Sequence, residues 1–173
     1  MSCRPTDVNS DLTQAELRLL FDYDPETGML TRRVQTSSNA AAGCQAGYTN
    51  GGGYIRVGLH RRSYGAHRLI WLYVYGCWPA REIDHVNTCP SDNRLCNLRE
   101  ATRRQGLHNT SRRRDNRSGI KGVRWSQRHQ RWVAKLNRPD GSVFQRRLRS
   151  KEAAAAAYAQ EAARQFGEFA RVE

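Results

Sequence analysis

The sequence predicts an α+β chain built as two small units. Apolar residues make up 38% of the 173 positions, enough for modest cores rather than one large one. Short runs of alternating hydrophobicity are interleaved with segments of helical periodicity. The formal charge of +13 is also unevenly placed. Residues 1–100 hold 11 Lys and Arg against 10 Asp and Glu, residues 101–150 hold 15 against 2, and residues 151–173 hold 3 against 4. Within the basic block, Thr110 to Ser118 has no apolar side chain and reads as a linker. The expected units are therefore 1–109 and 119–173, joined through 110–118.

The first element is a short helix from Thr13 to Phe21. Thr13 stands at the N-cap, Glu16 at the capping-box position, and Leu17, Leu20 and Phe21 share one face. Asp24-Pro25-Glu26-Thr27-Gly28 is turn chemistry, and Met29 to Val34 reads as a brief strand. Ser37 to Gly53 is small, polar and Gly-rich, hence a loop. Tyr54 to Leu59 alternates like a strand, Arg61-Arg62 turns it, and Ser63 to Ala66 returns as the second arm of a hairpin. From His67 to Tyr75 apolar residues cover much of a helical circumference, which predicts a buried helix.

Arg81 to Ile83 forms a strand that ends at Asp84-His85. A loop with Pro, Asn and Asp follows from Val86 to Asn93, order resumes from Leu95 to Glu100, and Thr102 to Asn109 has helical character. Beyond the linker, Ile120–Trp125, Arg131–Asn137 and Ser142–Leu148 alternate like three strands, with Pro139-Asp140-Gly141 turning the last pair. Lys151 to Phe166 is a helix with Ser150 as its N-cap and an Ala, Tyr158 and Phe166 face. One helix on three strands is about the smallest unit that buries two layers.

A basic block this confined implies a polyanionic partner, because neutralised phosphates release condensed counterions. Double-stranded DNA is the default partner. No amphipathic basic helix points to a membrane surface, and the longest apolar run, Leu69 to Tyr75, is too short to span a bilayer. No signal peptide precedes Leu12, and the five cysteines are odd in number without CxxC spacing. These features predict a soluble, cytoplasmic protein with reduced thiols and no small-molecule cofactor. Cys89 and Cys96 bracket a loop, where they either stay ordinary thiols, pair, or join a metal site.

The chemistry concentrates at Asp84-His85 and at Asn97, twelve residues beyond the imidazole. Phosphodiester hydrolysis needs an activated water, a cation near the scissile phosphate and stabilisation of the leaving oxygen. Asp84 suits a hard divalent ion, Mg²⁺ first and Mn²⁺ second, since such ions keep several waters and take one or two carboxylates. His85, projecting the other way if the pair ends a strand, suits the general base. The Asn97 amide can fix either the loop or the imidazole. His67 reads as a structural residue anchoring the helix that follows it.

The string His67-Arg68-Leu69-Ile70-Trp71, Ile83-Asp84-His85, Asp92-Asn93-Arg94-Leu95-Cys96-Asn97-Leu98-Arg99 and Ala101-Thr102-Arg103-Arg104-Gln105 resembles the HNH endonucleases. It is most similar to their phage and intron-encoded homing branch, over about residues 20–110. The resemblance implies a ββα-metal core within residues 1–109, with Asp84 as metal ligand, His85 as general base and Asn97 as the brace of that base. In the homing branch a second metal ligand sits nine residues after Asn97, where this chain has Gly106. His108 or Asn109 can take that place, or water and phosphate can fill it.

The C-terminal unit resembles the DNA-binding domain of apetala-type, ethylene-response factors. Lys121-Gly122-Val123-Arg124, Trp132-Val133-Ala134-Lys135-Leu136, Glu152-Ala153-Ala154, Ala157-Tyr158 and Glu161-Ala162-Ala163 carry the likeness. It implies a three-stranded antiparallel sheet packed on one helix, with Lys121, Arg124, Arg131 and Lys135 against DNA. Charge and strand placement add Arg128, Arg138, Arg146 and Arg147 as phosphate contacts. The combined expectation is a metal-dependent endonuclease of homing type, acting as monomer or homodimer and nicking or cutting both strands. Its rivals are a DNA-binding regulator with a decayed nuclease site and a DNA-packaging accessory.

Overall fold

A computed structural model describes residues 12–35, 40–109 and 115–170, without the side chains of Arg104, Leu107 and His108. Its contacts divide the chain between Thr102 and Arg103. In the first unit, α1 (Gln14–Leu20) starts where the Thr13 hydroxyl accepts the Glu16 amide proton at 3.2 Å. Phe21, expected to close that helix, is extended and opens β1 (Phe21–Asp24), which pairs antiparallel with β2 (Met29–Arg32). The turn between them is tied by Asp24, whose carboxylate accepts from the Glu26 amide at 2.9 Å and from the Thr27 hydroxyl at 2.7 Å.

A second sheet runs in the order β3 (Tyr48–Thr49), β4 (Ile55–Leu59), β5 (Arg62–Gly65). Its hairpin turns at His60-Arg61, one residue earlier than the sequence suggested, with both residues at positive φ. Positive φ at both central positions is what a two-residue turn needs to match the strand twist. Then α2 (Ala66–Tyr75) runs to Gly76, which caps it in the left-handed conformation. The last pair is β6 (Glu82–His85) with β7 (Leu98–Ala101), antiparallel, joined through a loop and a 3₁₀ turn at Leu95–Asn97.

Leu17, Phe21, Val57, Leu69 and Ile70 are fully buried at the centre of this unit. Each contributes about 1.5–3 kcal/mol relative to exposure. Leu98 of β7 belongs to the same core and Ile83 of β6 packs against it. These two residues anchor the ribbon that carries Asp84 and His85. Glu100 fixes the entry to β6 by accepting the Ala80 amide proton at 2.6 Å.

The second unit begins with α3 (Arg103–His108), followed by β8 (Val123–Ser126), β9 (Arg131–Asn137), β10 (Val143–Leu148) and α4 (Lys151–Phe166). The strands form an antiparallel sheet in the order β10-β9-β8. Ala154, Ala157, Tyr158 and Ala162 of α4 meet Val123, Ala134 and Leu136 in a second core. The alanines among them let helix and sheet approach closely. Gly122, at φ +72°, is part of that fit, because a Cβ there would enter the Tyr158 ring. Ser150 caps α4, accepting from the Ala153 amide at 3.1 Å.

Helix α3 contacts a 3₁₀ turn at Gly167–Phe169 and so groups with this second unit, whereas β6 and β7 belong to the first. Of the stretch read as a linker, residues 110–114 lie outside the described residues. At 116–118 the chain is knit into the second unit: Asn116 Nδ2 donates to the Ile120 carbonyl at 2.8 Å and the Ser118 hydroxyl to the Val123 carbonyl at 2.6 Å.

Cys77 is disulfide-bonded, which corrects the expectation that every thiol is reduced; Cys44, Cys89 and Cys96 are unbonded and exposed. Among the described residues no helix is long and apolar enough to cross a membrane.

Candidate active site

Strand alternation decides what Asp84 and His85 meet. Consecutive strand residues project to opposite faces, so the carboxylate and the imidazole leave β6 in different directions. Register places Asp84 across from Arg99 and His85 across from Leu98. On the first face, Arg99 Nε donates to Asp84 Oδ2 at 3.0 Å and Arg99 Nη2 lies 2.9 Å from the same oxygen. The two side chains are only 14% and 15% exposed, so water screens the pair poorly.

On the other face His85 is buried. Its Nε2 is 3.1 Å from Asn93 Oδ1. An amide oxygen accepts, so Nε2 is the donor in this contact. Two further rings meet the imidazole edge-on, His67 with centroids 5.4 Å apart and Tyr54 at 5.8 Å. Burial pushes the His67 imidazole down to about 4, and the neighbouring His85 adds to that shift, so His67 is neutral at physiological pH. Tyr54 follows a Gly-rich turn closed by Asn50, whose side-chain oxygen accepts from the Gly52 amide at 3.0 Å and the Tyr54 amide at 2.9 Å.

The loop after His85 is tied together by buried amides. Asn97 Oδ1 accepts the Asn87 amide proton at 2.9 Å, and Asn97 Nδ2 donates to the Asp92 carbonyl at 2.7 Å. Asn97 thus contacts the loop backbone, and Asn93 contacts the imidazole. Asp92 accepts from Asn87 Nδ2 at 2.7 Å and from Arg94 Nε at 2.8 Å, and the Arg94 guanidinium holds its carboxyl well below the usual range. Asn93 is held from outside the loop as well. The Tyr23 hydroxyl donates to its carbonyl at 3.2 Å, and burial pushes that phenol up to about 12. Gly28, at φ +73°, lies so close that a Cβ would run into the Arg94 amide and the Asn93 carbonyl carbon.

The remaining expected metal residues sit in the other unit. Gly106 and His108 are in α3 and Asn109 ends it, buried; the His108 side chain lies outside the described residues. No cluster of three or more His, Cys, Asp or Glu able to hold a metal occurs among the described residues. The donor set nevertheless fits a hard divalent ion that brings its own waters, since such an ion requires as little as one carboxylate. Asp84 supplies that oxygen chemistry, with the Arg99 guanidinium as its present counter-charge.

In the second unit, Val123, Ala134 and Leu136 face α4, so Arg124, Arg131, Val133 and Lys135 project from the opposite face of the sheet. Register adds Arg147, across from Val133, and Gln145, across from Lys135. Arg146 lies across from Ala134 and is therefore on the helix side, apart from the group it was expected to join. Lys121 stands in the turn before β8. Arg138, just past β9, donates to the buried Glu161 at 2.6 Å, which ties the end of that strand to α4.

Residues 64–107 match the family model for HNH endonucleases. That segment runs from β5 to α3 and contains Asp84, His85, Asn93, Asn97 and Arg99. The match supports a nuclease, a phosphodiester hydrolase, and implies DNA as the substrate. HNH nucleases generally use divalent metal ions. No curated protein and no solved structure matches the chain.

Sequence reasoning assigned no role to Asn93, Tyr54 or Tyr23 at this site. Asn93 carried one signal, a second amide beside Asp92 in the loop that follows His85. Tyr23 and Tyr54 come from distant strands and carried none.

Proposed function

We propose that the chain is a metal-dependent, site-selective DNA endonuclease of homing type. The observation that carries this reading is the His85–Asn93 contact, a buried imidazole held by an amide inside the HNH-matched segment. With Nε2 donating to Asn93, the lone pair on His85 Nδ1 is the one to accept a proton from water. The resulting hydroxide attacks phosphorus, the bond to the leaving sugar oxygen breaks, and that oxygen takes up a proton from solvent. Asp84 would hold a Mg²⁺ or Mn²⁺ ion, which would supply charge neutralisation at the phosphate. Neutral His67 and Tyr54 keep the imidazole in one orientation and shield it from bulk water.

Site selection falls to the sheet of the second unit. Arg124, Arg131, Lys135 and Arg147 share one face and form a cationic row suited to DNA, with Gln145 among them to read a base edge. Lys121 flanks the row from the turn. Arg146 contributes charge from the other side.

Gly106 and the guanidinium on Asp84 favour a second reading, a DNA-binding regulator with a decayed nuclease site. Supercoiled plasmid incubated with the protein and Mg²⁺ or Mn²⁺ separates the two. Nicking that stops on adding chelator supports the endonuclease, and binding without cleavage in either metal supports the regulator.

A further inference from the structure

We propose that Arg99 is a resident counter-cation of the Asp84 carboxylate, a positioning residue whose charge a divalent ion must displace in order to bind. The inference rests on the reading of Asp84 as a metal ligand. The two residues are register partners on β6 and β7, so the ladder fixes their backbones face to face before any ligand arrives. Arg99 Nε donates to Asp84 Oδ2, Nη2 lies 2.9 Å from the same oxygen, and neither side chain is more than 15% exposed. A half-closed site of this kind leaves little water to screen a second cation from the first.

Metal entry is then an exchange. The guanidinium orients the carboxylate and balances its charge, and a divalent ion approaching that carboxylate meets a positive charge a few ångströms away. Arg99 must swing off Asp84 for the ion to settle. Its planar fork suits a phosphate oxygen, so a DNA strand offers the displaced guanidinium a new anion. Metal and DNA consequently favour each other's binding, and by linkage the coupling is reciprocal.

Mn²⁺ titration of the full chain without DNA, followed by loss of the free-ion EPR signal, tests this. Arg99→Gln removes the charge at similar size and is expected to tighten Mn²⁺ binding on the order of tenfold. Arg99→Lys keeps the charge and should stay near wild type. If Arg99→Gln fails to fold, Arg99→Met preserves the stem's packing and carries the same expectation. Asp84→Asn should abolish the site. Unchanged or weaker binding in the neutral Arg99 variants, with Asp84→Asn still abolishing it, overturns the exchange and leaves the metal ligand standing. Wild-type binding in Asp84→Asn overturns the ligand assignment and the exchange together.

Discussion

Asn93 Oδ1 lies 3.1 Å from His85 Nε2 in the interior of the first unit, and that contact holds the imidazole in its orientation. Removing it frees the ring to rotate and leaves the Nε2 proton unpaired in a buried site. Asn93→Ala is expected to slow nicking about 10–100-fold, the usual cost of losing a group that orients a reacting side chain. DNA binding, measured in parallel, should hold. A rate within twofold of wild type would remove Asn93 from the mechanism.

Tyr23 and Gly28 act on the same asparagine through its backbone. Tyr23→Phe deletes one partly buried hydrogen bond and should cost about 1 kcal/mol in urea unfolding. Gly28→Ala adds a Cβ where the φ is positive and the Asn93–Arg94 backbone is in contact, and should cost more, about 1–3 kcal/mol. Equal stability of Gly28→Ala and wild type would show that the β1–β2 turn does not press on the loop.

Acid should unfold the two units over different ranges. His67 is pushed down from 6.5 to about 4, so the unfolded chain takes up this proton first and the first unit loses stability as pH falls from 6.5 towards 4. Glu161 accepts from Arg164, Arg138 and Gln165, which lower its carboxyl from 4.5 to about 2. Its stabilisation is complete above 4.5 and disappears as pH falls towards 2. Tryptophan fluorescence and hydrogen exchange across this range should show the first unit loosening before the second, and Glu161→Gln should flatten the lower limb.

The cationic row of the sheet makes a directional prediction about salt. Arg124→Ala and Arg147→Ala should each lower the slope of log K against log salt by about 1. Arg146→Ala, on the helix side, should change it less. Equal effects at all three would mean that DNA is held by diffuse charge rather than by one face.

Among the described residues, no atom lies within 4 Å of a Cβ placed at Gly106. Gly106→Asn puts an amide at the position where the resemblance to the homing branch implies a second ligand. Faster nicking is expected, together with a lower Mg²⁺ requirement.

The C-terminal unit was legible almost strand by strand, because alternation and the Pro-Asp-Gly turn are local signals, and Ser150 announced α4. The first unit was harder. Phe21 reads equally well as the end of an apolar helix face and as the start of a strand, and pairing with Arg32, eleven residues on, decides for the strand. Asp84 and His85 stood out as a dipeptide, and their opposite directions followed from strand geometry. The supports did not stand out. Arg99, Tyr54 and Tyr23 reach the site through register and long-range packing that sequence spacing does not encode, and of two amides in one loop only the folded structure shows that Asn93 faces the ring while Asn97 faces the loop.

The central claim is that His85 accepts the proton from the attacking water. Its most direct measurement is plasmid nicking by His85→Ala at saturating Mg²⁺, with DNA affinity taken on the same preparation. The account predicts a loss of about 10²–10⁴-fold in rate with affinity retained, as expected for removal of a general base. Nicking at the wild-type rate by His85→Ala would contradict it.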